Sequence, residues 1–252
     1  MKQYVLTVFL CLILAGCTAA KSGVQSQSLT PRELDLRLGL AESHINNRQP
    51  QQALQELMRI ESQAKHLPRY HFDLGMVFVS LNEMERALAG FQRAVEIDPD
   101  YGEAWNNLGK VQENLGQDRN AEASYRRAFE ILTYLTPEFA AFNLGSLYLR
   151  TGRTQEADDY ARKALARNWR YLPAYKLLAD ALVAQNRMEE AEKVLQSGME
   201  SDLTTPVIML ALGEHKVRMG KKAEAKILFE QIIAQHPKSD EAKLAKDYLV
   251  LL

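Results

Sequence analysis

Six alanines, Ala53, Ala87, Ala121, Ala157, Ala191 and Ala225, divide this chain into steps of roughly 34 residues, one of them stretched by two. A fixed period of this size marks an array of helix–turn–helix units that bury their apolar faces only by stacking on one another. Other positions keep the same ruler. Ahead of each alanine stand Leu40-Ala41, Leu74-Gly75, Leu108-Gly109, Leu144-Gly145, Leu178-Ala179 and Leu212-Gly213, and one helical turn after it stand Leu57, Phe91, Tyr125, Ala161, Leu195 and Phe229. Small residues let the two helices of a unit approach, and large ones fill the gaps between units. Pro99 and Pro237 follow Ala87 and Ala225 at one shared register, where a proline ends the second helix and sets the turn into the next unit. The pattern predicts an all-α chain, a right-handed α-solenoid of six repeats at 34–67, 68–101, 102–135, 138–171, 172–205 and 206–239. A polar-faced helix at 240–252 then caps the last apolar edge.

These marks resemble the tetratricopeptide repeat, most closely in "WNNLGKVQENLGQDRNAEASYRRAF" at 105–129. The resemblance implies a protein-binding array that carries out no chemistry of its own. The rest of the sequence agrees. There is no glycine-rich phosphate loop, and His44, His66, His71, His215 and His236 show no metal-ligand spacing. Asp158-Asp159 and Glu189-Glu190 open second helices, where carboxylates offset the helix dipole. Neither an enzyme, a cofactor, a metal nor a small-molecule substrate is expected. A net charge of −1 with 25% charged residues argues against nucleic-acid binding. The basic stretch at 216–226 reads as a solvated helix face and turn, or else as a contact for anionic lipid or an acidic partner.

Residues 1–17 read as a leader: a positive start, the apolar run "YVLTVFLCLILA", and "LAGC" ending at Cys17. The run is too short for a comfortable membrane span. Its ending resembles the bacterial lipoprotein signal, which implies cleavage of residues 1–16, acylation of Cys17 and anchoring by acyl chains; the alternative is an ordinary secretory peptide cut elsewhere. Thr18 stands where that family's inner-membrane retention signal has aspartate, so the expected place is the periplasmic face of the bacterial outer membrane. Cys11 leaves with the leader, so no thiol remains for a disulfide, a metal or a nucleophile. Residues 17–33 hold the lipidated cysteine and a polar tether, closed by Thr30-Pro31-x-Glu33 as N-cap, first-turn proline and capping-box glutamate.

Function then rests on the wall lined by the first helix of each repeat. The register turns Phe72, Met76, Asn106, Asn107, Lys110, Phe139, Phe142, Asn143, Ser146 and Lys176 toward that groove. Aromatic and thioether side chains suit an apolar peptide, with asparagines placed to bond both the N–H and C=O of an extended ligand backbone. The competing reading packs Phe72, Phe139 and Phe142 between adjacent repeats. Lys110 and Lys176 alone do not make the clamp with which chaperone-type tetratricopeptide domains hold a terminal carboxylate. Two extra residues enter around 131–139, "ILTYLTPEF", which reads either as a partner-contact ridge or as a segment folded back over the seam.

The leader, the tether, six repeats and the junction "YLTPEFAAFNLG" at 134–145 together resemble the type IV pilus biogenesis lipoproteins of the PilF/Tgl pilotin type. That resemblance implies an assembly factor for the outer-membrane secretin, which the solenoid holds until it inserts, with Phe72, Met76, Asn106, Phe142 and Asn143 on the contact surface. Three alternatives stay open. A β-barrel assembly subunit would carry the turn that "HPKSDEA" at 236–242 faintly resembles. The others are a peptidoglycan-hydrolase adaptor and a scaffold that dimerises through its outer face.

Overall fold

A computed structural model of the chain describes residues 29–201 and 205–252. Thirteen α-helices, and no strand, occur among the described residues. The leader, Cys17 and the tether up to residue 28 lie outside them. Six hairpins follow one another: α1 (Pro31–Asn46) with α2 (Pro50–Ala64), α3 (Pro68–Ser80) with α4 (Met84–Ile97), and α5 (Gly102–Asn114) with α6 (Asp118–Glu130). Then come α7 (Pro137–Arg150) with α8 (Thr154–Arg167), α9 (Leu172–Ala184) with α10 (Met188–Ser201), and α11 (Pro206–Arg218) with α12 (Lys222–Gln235). The last helix is α13 (Asp240–Leu251). This is the tetratricopeptide solenoid that the period predicts.

The turn inside each hairpin has one solution, repeated six times. Arg48, Asn82, Gly116, Gly152, Asn186 and Gly220 all take positive φ, between 57° and 79°. In each case the next residue's N–H reaches back over the helix end, as from Glu83 to the Phe78 carbonyl and from Gln117 to that of Gln112, both at 2.8 Å. This is the Schellman closure, which needs a left-handed residue at its centre. Prolines open α1, α2, α3, α7, α9 and α11 within their first two positions, where a missing N–H costs nothing. The Thr30 capping box is present: the Thr30 N–H donates to Glu33 Oε2 at 2.7 Å, and the Glu33 N–H donates to Thr30 Oγ1 at 3.3 Å.

The period alanines are all fully buried. Their partners explain why. A Cβ added at Gly75, Gly109 or Gly213 would sit 2.4 to 2.6 Å from a ring atom of Phe91, Tyr125 or Phe229 respectively, in the same hairpin. The glycine therefore forms the seat for the aromatic ring, and the two helices close on it. Hairpin 4 differs. Its ring position is Ala161, and the seat at Gly145 is taken by Leu177, reaching in from α9 with Cδ2 at 2.9 Å from an added Cβ. At the C-terminal end Tyr248 of α13 stacks on Phe229 at 5.1 Å and its hydroxyl donates to Glu214 at 3.1 Å, covering the last hairpin.

The junction at 131–139 divides residue by residue. Ile131 and Tyr134 fold back, buried with Ala128, Ala140 and Trp105 over the seam of hairpins 3 and 4, and Tyr134 covers Gly102. Leu132 and Leu135 point away, 94% and 87% exposed. The segment thus folds back over the seam and at the same time presents an apolar ridge.

Candidate functional site

The wall of first helices is continuous where α5 meets α7, α7 meets α9, and α9 meets α11. The residues named from the sequence fall into three groups on it. Phe72 lies between the rings of Phe91 and Tyr101, at 5.6 and 5.1 Å, and Met76 packs into the same cluster. Asn143 Nδ2 donates to Asn106 Oδ1 at 2.9 Å across two hairpins, and Asn107 Nδ2 donates to the Glu103 carbonyl at 2.8 Å. A buried amide left unpaired would cost about 1–3 kcal/mol, and these bonds remove that cost while stiffening the wall. Lys110 stands exposed on α5.

The third group does converge. Phe142, Ser146 and Lys176 line a cavity of about 390 Å³ together with Leu149, Arg150, Pro173, Leu177, Asp180 and Val207. Every one of these lies on α7, α9 or α11, so the slot sits over repeats 4 to 6, whereas Phe72, Met76, Asn106, Asn107 and Lys110 lie on repeats 2 and 3. Phe139 and Phe142 both meet the ring of Tyr171 edge-on, at 5.2 and 5.4 Å, which fixes one wall. Leu177, which lines the slot, also fills the seat at Gly145 left open by Ala161. A larger residue at 161 would compete for that seat and press Leu177 into the slot, so a departure from the repeat pattern in α8 shapes the wall in front of it.

Charges at the rim are already compensated. Lys176 Nζ meets Asp180 at 2.6 Å, and Arg150 reaches Asp118 at 2.7 Å and Glu113 at 3.2 Å. The Arg150 guanidinium holds the Asp118 carboxyl below its ordinary value. An apolar floor inside a neutralised rim suits an uncharged, hydrophobic side chain better than a carboxylate terminus.

Two further features escaped the sequence. A cavity of about 710 Å³ lies at the N-terminal edge, lined by Leu29, Leu34, Leu38, Leu67 and Pro68 with Arg69 at its side. Leu38 in this lining is buried, and Leu29, Leu34, Leu67 and Pro68 are partly so. The second feature is Asp73, 1% exposed, whose Oδ2 has no hydrogen-bond partner. Burial, reinforced by the Glu42 charge and opposed by Arg69, pushes its carboxyl up to about 8. Arg69 itself is held by Glu42 and Asp35 at 2.5 and 2.6 Å. Tyr101 and Tyr171 were missed as well; both close a repeat, so the signal was a tyrosine at the same register in repeats 2 and 4.

Comparison with known proteins agrees with the fold. A family model described as TPR repeat matches residues 68–116, and others described as tetratricopeptide repeat match 102–131, 148–207 and 209–239. The crystal structure of PilW, a widely conserved type IV pilus biogenesis factor, superposes with a TM-score of 0.73 over 85% of this chain and 99% of that one, at 20% identity. PilF of Pseudomonas aeruginosa superposes with a TM-score of 0.71 over 87% and 97%, at 17% identity. In sequence, the mouse (Mus musculus) protein O-mannosyl-transferase TMTC3 is 27% identical over 143 residues, which cover 52% of this chain and only 16% of that protein. The chain is thus similar to a small part of that transferase, and the structural likenesses are likenesses of fold.

Proposed function

We propose that this chain is a lipid-anchored assembly factor that holds a subunit of the outer-membrane secretin during type IV pilus biogenesis. The observation that carries the reading is the extent of the structural likeness. Two proteins of type IV pilus biogenesis are matched over 99% and 97% of their own lengths, so the number and the stacking of the hairpins agree as well as the repeat type. The leader ending at Cys17 supports placement on the periplasmic face of the outer membrane. The client inserts an apolar side chain between Phe142, Leu177 and Val207, while Tyr171 and the Asn106–Asn143 bond keep the slot in shape.

Crosslinking in bacterial envelopes tests this. The wild-type protein should capture a secretin as its main partner. Phe142→Glu should reduce the capture at least tenfold, because a charge forced into an apolar slot costs more than the free energy that a tenfold change represents. A secretin captured equally by the variant would move the client off this slot. Capture of barrel-assembly subunits or cell-wall hydrolases in its place would assign the chain to those machines.

A further inference from the structure

The 131–136 loop holds the most exposed large side chains of the solenoid's interior hairpins, and they belong to no cavity described above. Leu132 and Leu135 protrude at 94% and 87% exposure, and Trp169, in the equivalent loop of the next hairpin, is 55% exposed. Phe139, partly exposed at the start of α7, lies between the two loops and touches Tyr171. The loops hold firm underneath: Ile131 and Tyr134 are buried, and Asn168 Nδ2 donates to the buried Glu138 at 3.0 Å. The outward leucines are therefore presented on a fixed base.

Charge adds a second observation. Most arginines of this protein meet a carboxylate; Arg127, in the preceding hairpin, bonds Asp100 at 2.7 Å. Arg167 and Arg170 flank Trp169 and have no such partner among the described residues. Their guanidinium groups lie over rings, Arg170 over Trp169 at 4.8 Å and Arg167 over Phe129 at 5.4 Å. Two aliphatic tips, a tryptophan and uncompensated guanidinium groups make the chemistry of a bilayer interface. Apolar side chains enter the acyl boundary, the indole sits at headgroup depth, and the cations meet lipid phosphates.

Topology supplies a third. Short turns make neighbouring helices antiparallel, so the starts of the odd-numbered helices and the ends of the even-numbered ones share one edge of the solenoid. Both loops lie on that edge, and so does Leu29, where the described chain begins. Leu29 follows Cys17 by only 12 residues in the sequence. An acylated Cys17 would therefore bring this edge, rather than the opposite one, toward the membrane. No helix among the described residues is long and apolar enough to cross a bilayer, so the contact is interfacial.

We infer that Leu132, Leu135 and Trp169, with Arg167 and Arg170, form a second membrane contact that lays the solenoid edge on an anionic bilayer. This contact orients the wall of first helices relative to the membrane. The inference rests on the anchoring part of the proposed function, and the two are separable. A protein docking on the same ridge is the competing occupant; the convex, protruding shape of the leucines favours lipid, since protein hot spots are received in pockets.

The test uses full-length protein purified from bacterial envelopes and placed on vesicles of phosphatidylethanolamine with a minority of phosphatidylglycerol, with and without brominated acyl chains. Trp105→Phe leaves Trp169 as the sole tryptophan. Roughly half of the Trp169 emission should be lost to the brominated lipid, with a blue shift, as for an indole at the acyl boundary. Adding Leu132→Glu with Leu135→Glu should abolish that quenching at unchanged helicity, and Arg167→Gln with Arg170→Gln should weaken it. Mass spectrometry of Cys17 separates the two ideas: quenching without acylation would keep the ridge and remove the anchor. Acylated, vesicle-bound protein with unquenched Trp169 would overturn the ridge. So would quenching indifferent to the two glutamates, or loss of a protein crosslink in the glutamate variant with quenching unchanged.

Discussion

Hairpins 3 and 4 solve one packing problem in two ways. In hairpin 3 the ring of Tyr125 on α6 rests on Gly109 of α5, and its hydroxyl donates to Glu113 at 2.9 Å. Both partners belong to the same unit, so the hairpin is complete in itself. In hairpin 4 the corresponding residue is Ala161, and Gly145 receives Leu177 from the next unit. Hairpin 4 is thus finished by its neighbour, and the borrowed side chain lines the slot on the wall. A repeat array acquires a site where one unit stops being self-sufficient.

The largest effect should come from breaking the self-sufficient unit. Tyr125→Ala removes a buried ring and its hydrogen bond, and we expect a loss of about 4 kcal/mol in chemical unfolding. The glycine seats then separate the two solutions. Gly109→Ala sets a Cβ against the Tyr125 ring at 2.6 Å and should destabilise by about 2 kcal/mol. Gly145→Ala comes within 3.0 Å only of the flexible end of Leu177, with the Ala157 carbonyl and Tyr160 Cβ at 3.4 Å, so its cost should be smaller, with the displaced leucine narrowing the slot and weakening client capture. Equal destabilisation by the two alanines, or undiminished capture by Gly145→Ala, would erase the distinction between the hairpins.

What the sequence disclosed follows the same division. Contacts within a unit recur once per repeat, so Ala53, Ala87 and their equivalents, the glycine seats and the rings were all visible as a ruler. The wall was only partly visible, because its exposure is decided by contacts that most of the repeats do not share. Tyr101 covers Phe72 and Tyr171 braces Phe142, an aromatic pair that only repeats 2 and 4 carry, and Asn143 bonds Asn106 across two repeats; contacts so rarely repeated do not stand out as a ruler. Ala161 is the one small residue among the six large-residue positions, but which residue takes the vacated seat depends on a helix that the spacing does not place.

Asp73 sharpens the comparison from the other side of hairpin 3. Its repeat equivalents are Asn107 and Asn143, which make hydrogen bonds, whereas Asp73 Oδ2 makes none. Its carboxyl, raised to about 8 by burial, binds a proton in the folded state that the unfolded chain releases near pH 4. The folded state therefore loses stability as pH rises from about 4 to about 8. Asp73→Asn should match the wild type at acid pH and exceed it on the order of 2 kcal/mol at pH 8.5. Parallel pH–stability curves for the two proteins would refute this account of the site.

The smallest expected effect concerns the turns, where the hairpins agree in geometry and differ only in residue. Five of the six left-handed positions hold glycine or asparagine, the residues that tolerate positive φ; Arg48, at 57°, is the exception. Its turn is otherwise the same, with the Gln49 N–H reaching the His44 carbonyl at 2.8 Å. The strain of an unbranched but Cβ-bearing residue in this region is about 1 kcal/mol; glycine relieves it and gives part of the gain back through a freer unfolded chain. Arg48→Gly should therefore raise stability by a few tenths to about 1 kcal/mol in thermal unfolding, although Gly116→Arg should lower it by at least as much. Because the Arg48 side chain is exposed and forms no ion pair among the described residues, no lost contact offsets the gain. A destabilised Arg48→Gly protein would mean that the first hairpin depends on that side chain in a way its five successors do not.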